Sequence, residues 1–145
     1  MEDRPSIVIR GAIAIAVAVA VNSVLFYGFD ALGVALRVPA GFGTTELADM
    51  TLPPVLLLTA VPTLIAVVLA LVLDRFTDKP KSIFSAVVVL GAFLSLLTLI
   101  SLDSSMTDRV FQGVLHLVPA AALVALVGPT LGPDSVRNDS GTERT

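Results

Sequence analysis

The chain has 145 residues, of which 55% are hydrophobic and 14% charged, and its net charge is −3 at pH 7. Soluble domains are about 45–50% apolar and about 25% charged, so this composition indicates a membrane protein. The small net charge argues against a nucleic-acid partner. The chain has no cysteine, which excludes disulfides, thiolate metal sites and thiol nucleophiles.

Four apolar blocks are long enough to cross a bilayer as helices, each needing about 20 mostly apolar residues. None of them contains Asp, Glu, Lys or Arg: 11–29, 53–73, 83–102 and 110–127. They predict an all-α membrane protein, an up-and-down bundle of four transmembrane helices that forms one domain over residues 11–131. The remaining segments are an N-terminus, an outer loop, an inner loop and a tail: 1–10, 30–52, 74–82 and 132–145.

The first span alternates alanine with isoleucine or valine in "GAIAIAVAVAV". A strand is excluded because both faces are apolar and a lone strand in lipid would leave its backbone groups without partners. In a helix the alanines form two stripes, namely Ala12, Ala16 and Ala20, and Ala14, Ala18 and Asn22. Small residues four apart allow close helix packing, which predicts two helix neighbours. The alternatives are that these residues merely suit lipid, or that the segment is a cleaved signal peptide, whose apolar core is usually only about 7–15 residues long.

Lysine and arginine in the connections predict the orientation of the bundle. Seven lie in the N-terminus, the second connection and the tail, against two in the first and third connections. Both termini and loop 74–82 therefore face the cytoplasm in this interpretation. The outer loop 30–52, with its turn-rich "VPAGFGTT", is expected to be a solvated connector rather than a half-buried helix at the interface. The tail 132–145 is expected to be disordered.

Polar side chains inside the spans are the candidate functional residues, because hydrocarbon penalises them. Four of them fall about 9–12 Å below the outer border at about 1.5 Å of rise per residue: Asn22, Thr59, Ser95 and His116. A common depth predicts that these side chains face each other within the bundle. Thr63, Thr98 and Gln112 are the further polar residues of the spans.

Prolines interrupt the second and fourth spans at matching places. "LTAVPTLIAVVLA" and "LHLVPAAALVALV" align on Pro62 and Pro119, with Thr59 opposite His116. A proline inside a helix kinks it and frees the carbonyl four residues earlier, which a hydroxyl, an imidazole or water can satisfy. The freed carbonyls belong to Leu58 and Leu115. The match also suggests two related helical hairpins, although apolar sequence of low complexity aligns with itself easily.

His116 is the only histidine of the chain. It can be a proton relay, a pH sensor or an axial metal ligand. The favoured interpretation is a neutral imidazole that links helices through a hydrogen bond to Asn22, Ser95 or a freed carbonyl. A Ser95–His116 dyad is conceivable, but the spans supply no carboxylate to support it. The sequence therefore predicts no catalytic residues, no metal and no cofactor.

The layout is similar to that of a known family. The long first outer loop, the basic inner loop "DRFTDKPKS" and His116-Leu117-Val118-Pro119 resemble a prokaryotic family of small four-helix membrane proteins of unknown function, represented in halophilic archaea. The resemblance covers roughly residues 8–130 and implies residence in the cell membrane without an assigned activity.

Two functions follow as hypotheses. The first is a non-enzymatic membrane protein held by small-residue packing, whose partners are the lipid bilayer and either further copies of itself or another membrane protein. The alternative is a small transporter or channel-like protein with an outward-facing polar cavity formed by Asn22, Thr59, Ser95 and His116. An intramembrane enzyme is the least favoured, since no complete set of catalytic groups is present.

Overall fold

The computed structural model of the chain describes residues 6–34, 36–39, 46–100 and 105–132. Four long helices account for most of these residues, and they are α1 Ile7–Ala31, α2 Leu52–Phe76, α3 Pro80–Ile100 and α4 Met106–Ala122. The last helix continues without a break as a π-helical turn, Leu123–Val127, and a 3-10 turn, Gly128–Thr130. Two short strands, β1 Arg37–Pro39 and β2 Leu47–Asp49, form an antiparallel hairpin between α1 and α2.

The four helices pack side by side as an up-and-down bundle. α1 packs on α2 and α4, and α3 packs on the same two helices. All four are long and apolar enough to cross a membrane, so the predicted fold class is confirmed. Only 17–28% of the most apolar window of each helix is buried inside the chain. The remaining apolar surface therefore requires cover from lipid or from another protein.

The helices extend beyond the predicted spans because capping residues start them earlier. Ser6 Oγ accepts a hydrogen bond of 3.2 Å from the Ile9 amide and caps α1. At α4, Ser105 and Asp108 exchange bonds of 3.1 and 3.3 Å as a capping box, so this helix begins at Met106 rather than at residue 110. The inner connection, predicted as 74–82, is reduced to 77–79 between α2 and α3.

The described part of the first connection is a β-hairpin rather than a half-buried helix, and the side chains of Arg37, Ala48 and Asp49 in its strands are exposed. Leu36 is 4% exposed and packs with Phe29 and Leu115. Arg37 pairs with Asp49 across the strands, and their side chains form an ion pair of 3.7 Å. Because both side chains are exposed, the pair contributes little stability. The predicted tail disorder falls on residues 133–145, which lie outside the described residues.

One small-residue stripe of α1 packs inside the bundle. Ala14 and Ala18 are fully buried, and Asn22 and Gly11 lie on the same face. The two predicted helix neighbours of α1 are present, α2 and α4, but the second predicted stripe, Ala12, Ala16 and Ala20, is exposed, so the expectation that both stripes pack was wrong within this chain. The buried stripe brings α1 very close to α2, since a Cβ added at Gly11 would lie 2.5 Å from Val67 Cγ1.

The close approach at Gly11 predicts that Gly11→Ala destabilises the bundle. Val67 is buried and branched at Cβ, so its methyl groups have no free rotamer to move into, and overpacking costs about 1–3 kcal/mol. The free energy of unfolding, measured in mild detergent by denaturant titration, is expected to fall by this amount.

Gly28→Ala is the matched control in the same helix, because a Cβ at Gly28 meets no atom within 4 Å. It is expected to be neutral, or to stabilise by up to about 1 kcal/mol through better helix propensity. Equal effects of the two substitutions would contradict the close contact between α1 and α2.

Candidate functional site

The candidate polar residues form two separate hydrogen-bonded groups. Asn22 Nδ2 of α1 donates to Thr59 Oγ1 of α2 at 2.8 Å and to the Leu115 carbonyl of α4 at 2.9 Å. Ser95 Oγ of α3 lies 3.1 Å from His116 Nδ1 of α4. The predicted layer of polar residues thus contains an α1–α2–α4 junction and an α3–α4 pair.

The α1–α2–α4 junction is built on the carbonyl that Pro119 frees. Pro119 lies inside α4 and has no N–H, so the Leu115 carbonyl loses its helical donor. The side-chain amide of Asn22 takes the place of that donor. A hydroxyl, an imidazole or water was the expected substitute, and the structure uses a carboxamide from a neighbouring helix instead.

The same geometry determines which way the Asn22 amide points. The Leu115 carbonyl can only accept, so the atom that faces it must be the nitrogen. The other end, Oδ1, is buried and has no hydrogen-bond partner, while Asn22 as a whole is 1% exposed. A buried acceptor without a donor costs about 1–3 kcal/mol. Both hydrogen bonds that Asn22 Nδ2 donates are therefore made within the fold, and its Oδ1 has no partner.

The remaining polar residues of the spans bond locally or to the hairpin. Thr63 Oγ1 donates to the Thr59 carbonyl at 2.6 Å, and Thr98 Oγ1 donates to the Ser95 carbonyl at 2.7 Å, each within its own helix. Gln112 Nε2 donates to the Arg37 carbonyl at 2.6 Å. Gln112 thus fastens the β-hairpin to α4.

Five of the seven candidate polar residues of the spans line one cavity of about 260 Å³, here called the hairpin-end cavity. They come from all four helices and are Asn22, Thr59, Thr98, Gln112 and His116. Val38 of β1 and Met50, which follows β2, add the hairpin to its lining. The other lining residues are apolar, namely Val55, Leu58, Leu99, Leu115 and Pro119.

Ser95 does not line the hairpin-end cavity. It lines a second cavity of about 390 Å³ among α2, α3 and α4. Leu58, His116 and Pro119 line both cavities. His116 therefore lies at the boundary between them, with its Nδ1 bonded to Ser95.

The chemistry available at these cavities is hydrogen bonding by neutral groups. Neither lining includes Asp, Glu, Lys or Arg. Ser95 and His116 meet the distance requirement of a nucleophile and its base, but activation also needs a third group that orients the imidazole, and the linings offer no carboxylate for it. Within the described residues, no group of three or more His, Asp or Glu could hold a metal ion.

Sequence reasoning missed the contribution of the hairpin. Val38, Met50 and the Arg37 carbonyl all belong to the connection 30–52, where each strand is only three residues long. Strands so short give no reliable alternation of apolar and polar residues. The turn-rich "VPAGFGTT" was the only local signal, and it fits a hairpin as well as a connector.

Four packed helices that are long and apolar enough to cross a membrane are consistent with a multi-pass membrane protein. The chain belongs to the family of unknown function DUF6069, whose model matches residues 2–133. The expected family of unknown function with four membrane helices is thereby confirmed in outline, while its prokaryotic range stays a prediction. No curated protein and no solved structure matches the chain.

The junction at Leu115 predicts that Asn22 and Pro119 depend on each other. Asn22→Leu removes both hydrogen bonds and is expected to lower the free energy of unfolding by about 1–3 kcal/mol. In a Pro119→Ala background, residue 119 regains an N–H that can serve the Leu115 carbonyl. In that background, Asn22→Leu should lower the free energy of unfolding by at least about 0.5 kcal/mol less than it does in the wild type.

Pro62→Ala is the control background for this double-mutant cycle. It restores a donor for the Leu58 carbonyl, to which Asn22 makes no bond in the structure, so Asn22→Leu should keep most of its cost there. The three backgrounds, wild type, Pro119→Ala and Pro62→Ala, are compared with and without Asn22→Leu by denaturant titration in the same detergent. Equal coupling to both prolines would show that Asn22 does not replace the missing donor.

Proposed function

We propose that this chain is a non-enzymatic protein of the cell membrane, a small transporter or channel-like protein whose hairpin-end cavity opens outward and takes a small solute. One observation carries the proposal: polar side chains from all four helices line the same cavity, at a depth where hydrocarbon penalises them. Of the two functions that the sequence allows, this geometry favours the second.

The size of the cavity supports this choice over a purely structural role. Protein interiors are close-packed, with few voids larger than a water molecule. A volume of about 260 Å³ corresponds to roughly nine waters at about 30 Å³ each. A bundle that needed Asn22 and His116 only to join helices would have no need for this space. Pro62 and Pro119 lie beside the two cavities and provide the kinks at which α2 and α4 can flex.

Charge supports the outward direction of the hairpin. Among the described residues, the end of the bundle opposite the hairpin carries Arg10, Arg75, Lys79 and Lys81, whereas the hairpin end carries Arg37 and Arg109. Cytoplasmic connections are enriched in Lys and Arg. Both termini therefore belong in the cytoplasm, and the hairpin belongs outside.

A role as a subunit of a larger assembly is the second candidate. Ala12, Ala16 and Ala20 form an exposed stripe along α1, and small residues at this spacing favour close helix contacts in membranes. The stripe suits either another copy of the chain or a different membrane protein. None of its three residues lines the cavity, so self-association and solute binding are compatible.

Single cysteines test the orientation, conveniently in a chain that has none. Glu46→Cys, next to the hairpin, is expected to react with a membrane-impermeant maleimide on intact cells. Lys79→Cys, in the connection 77–79, should react only after the membrane is permeabilised. The reverse pattern would place the hairpin in the cytoplasm and contradict an outward-facing cavity.

Two further cysteines test whether the cavity is open to water. Thr98 and its neighbour Leu97 are both exposed, but only Thr98 lines the hairpin-end cavity. A methanethiosulfonate reagent attacks thiolates, which form in water and not in lipid. Added from outside, it should therefore modify Thr98→Cys at least about tenfold faster than Leu97→Cys.

Equal rates for the two cysteines would contradict the open cavity. Intact folding of both variants is checked by size-exclusion chromatography in detergent, so that unfolded material does not supply a false signal.

A further inference from the structure

The two cavities follow one another along the axis of the bundle. Along α2, α3 and α4, the residues that line the hairpin-end cavity fall within 55–59, 98–99 and 112–119, and those that line the second cavity fall within 58–69, 87–95 and 116–123. Helices α2 and α4 lead away from the hairpin and α3 leads back towards it. The second cavity therefore lies farther from the hairpin on all three helices, and the two cavities are arranged in series.

Together the two cavities extend through most of the thickness of a membrane. On α2 their linings run from Val55 to Leu69, which is about 21 Å at about 1.5 Å of rise per residue. The hydrocarbon core of a bilayer is about 30 Å thick. The hairpin-end cavity alone extends over only about 10 Å, from Gln112 to Pro119 of α4. A solute that crosses the membrane through this bundle therefore needs the second cavity as well.

His116 lies where the two cavities meet. It lines both of them, as do Leu58 and Pro119. Its side chain is half-buried, and its Nδ1 lies 3.1 Å from the Oγ of Ser95, a residue that lines the second cavity. Of the three shared residues, His116 is thus the one whose side chain is held at the junction by a hydrogen bond, which can break and form again.

The linings differ in polarity on the two sides of His116. Five of the twelve residues around the hairpin-end cavity are polar, against three of the fifteen around the second cavity, namely Thr63, Ser95 and His116. An apolar cavity that is closed off from water stays dry even at about 150 Å³. The second cavity is therefore expected to stay dry while the junction is closed, and to admit water or solute when His116 moves aside.

We propose that the His116 side chain is a gate between the two cavities. Bonded to Ser95, it closes the inner end of the hairpin-end cavity, and when this bond breaks the solute passes into the second cavity. The proposal rests on the function proposed above and adds the path of the solute and the residue that controls it. A bond that served only to link α3 and α4 could lie anywhere along their contact, whereas this bond lies where the cavities meet.

Single cysteines in the full chain, reconstituted in lipid nanodiscs, test the gate. Ala92→Cys is the reporter, because Ala92 lines the second cavity and not the hairpin-end cavity. Thr98→Cys reports on the hairpin-end cavity, and Phe93→Cys is the lipid control, since Phe93 is exposed and lines neither cavity. Silver ions are small enough to follow water, and they bind a cysteine that water reaches as its thiolate. A maleimide then counts the cysteines that remain free after unfolding in detergent.

In the wild-type background, Ala92→Cys is expected to react at least about tenfold more slowly than Thr98→Cys, because water does not reach it. His116→Ala removes the imidazole and should raise the rate at Ala92→Cys at least about tenfold, with Thr98→Cys and Phe93→Cys unchanged. Leu117→Ala is the matched control background, since Leu117 is exposed and lines neither cavity. There the rate at Ala92→Cys should stay low.

Two variants of Ser95 test the hydrogen bond, and they remain informative if His116→Ala fails to fold. Ser95→Ala keeps the imidazole but removes its partner, and should raise the rate at Ala92→Cys about two- to tenfold, the change in population that the loss of one hydrogen bond produces. Ser95→Thr keeps a hydroxyl and should leave the rate as in the wild type. A bond with a structural role alone would alter stability without altering the rate at Ala92→Cys.

The outcomes separate the gate from the function on which it rests. A Thr98→Cys variant that does not react would overturn the water-filled cavity, and the gate with it. If Thr98→Cys reacts, the gate alone is overturned by an Ala92→Cys rate that equals it in the wild type, or that neither His116→Ala nor Ser95→Ala changes. A parallel rise at Phe93→Cys would also overturn the gate, since the bundle would then have loosened as a whole.

Discussion

The structure depends on one constraint, which is that every backbone polar group in hydrocarbon needs a hydrogen-bond partner within the protein. Pro119 breaks this rule inside α4 by removing the donor of the Leu115 carbonyl. Asn22 restores it from α1 and uses its second amide hydrogen on Thr59 of α2. One side chain thus determines the relative position of three helices, in a solvent where apolar packing alone does not favour one helix register over another.

Side-chain size along α1 explains why the cavity lies at the hairpin end. The buried face of this helix begins with Gly11 and Ala14 and ends with Asn22 and Phe29. Glycine and alanine let α1 and α2 approach closely, as the 2.5 Å distance from a Cβ at Gly11 to Val67 indicates. Towards the hairpin, Phe29 packs on Phe111 with ring centroids 4.3 Å apart. Bulky residues there require a wider separation of helices, and the hairpin-end cavity lies in this wider part of the bundle.

The helices could be predicted from the sequence, whereas their ends and their partners could not. Uninterrupted apolar blocks specify a membrane helix almost by length alone, but the start of α4 depends on the Ser105–Asp108 capping box, which precedes the apolar block. Depth was predictable for Asn22 and Ser95, because helical rise is constant. Which neighbour each one meets was not, since depth gives no information about rotation around the helix axis. For this reason the predicted single layer is in fact two groups, and only one alanine stripe of α1 is buried.

Asn22 and His116 both line the hairpin-end cavity, but they differ in whether their hydrogen-bonding roles are fixed. The Asn22 amide is locked, because the Leu115 carbonyl accepts only from nitrogen, and Oδ1 can offer nothing but an acceptor. The His116 imidazole is bonded through Nδ1 to a serine hydroxyl, which can either donate or accept. When Ser95 donates, Nε2 carries the hydrogen; when Ser95 accepts, Nε2 is an acceptor. A neutral imidazole can therefore present either character towards a cavity without becoming charged. The locked amide joins α1, α2 and α4, the adaptable imidazole joins α4 to α3, and this combination needs no ionised side chain at membrane depth.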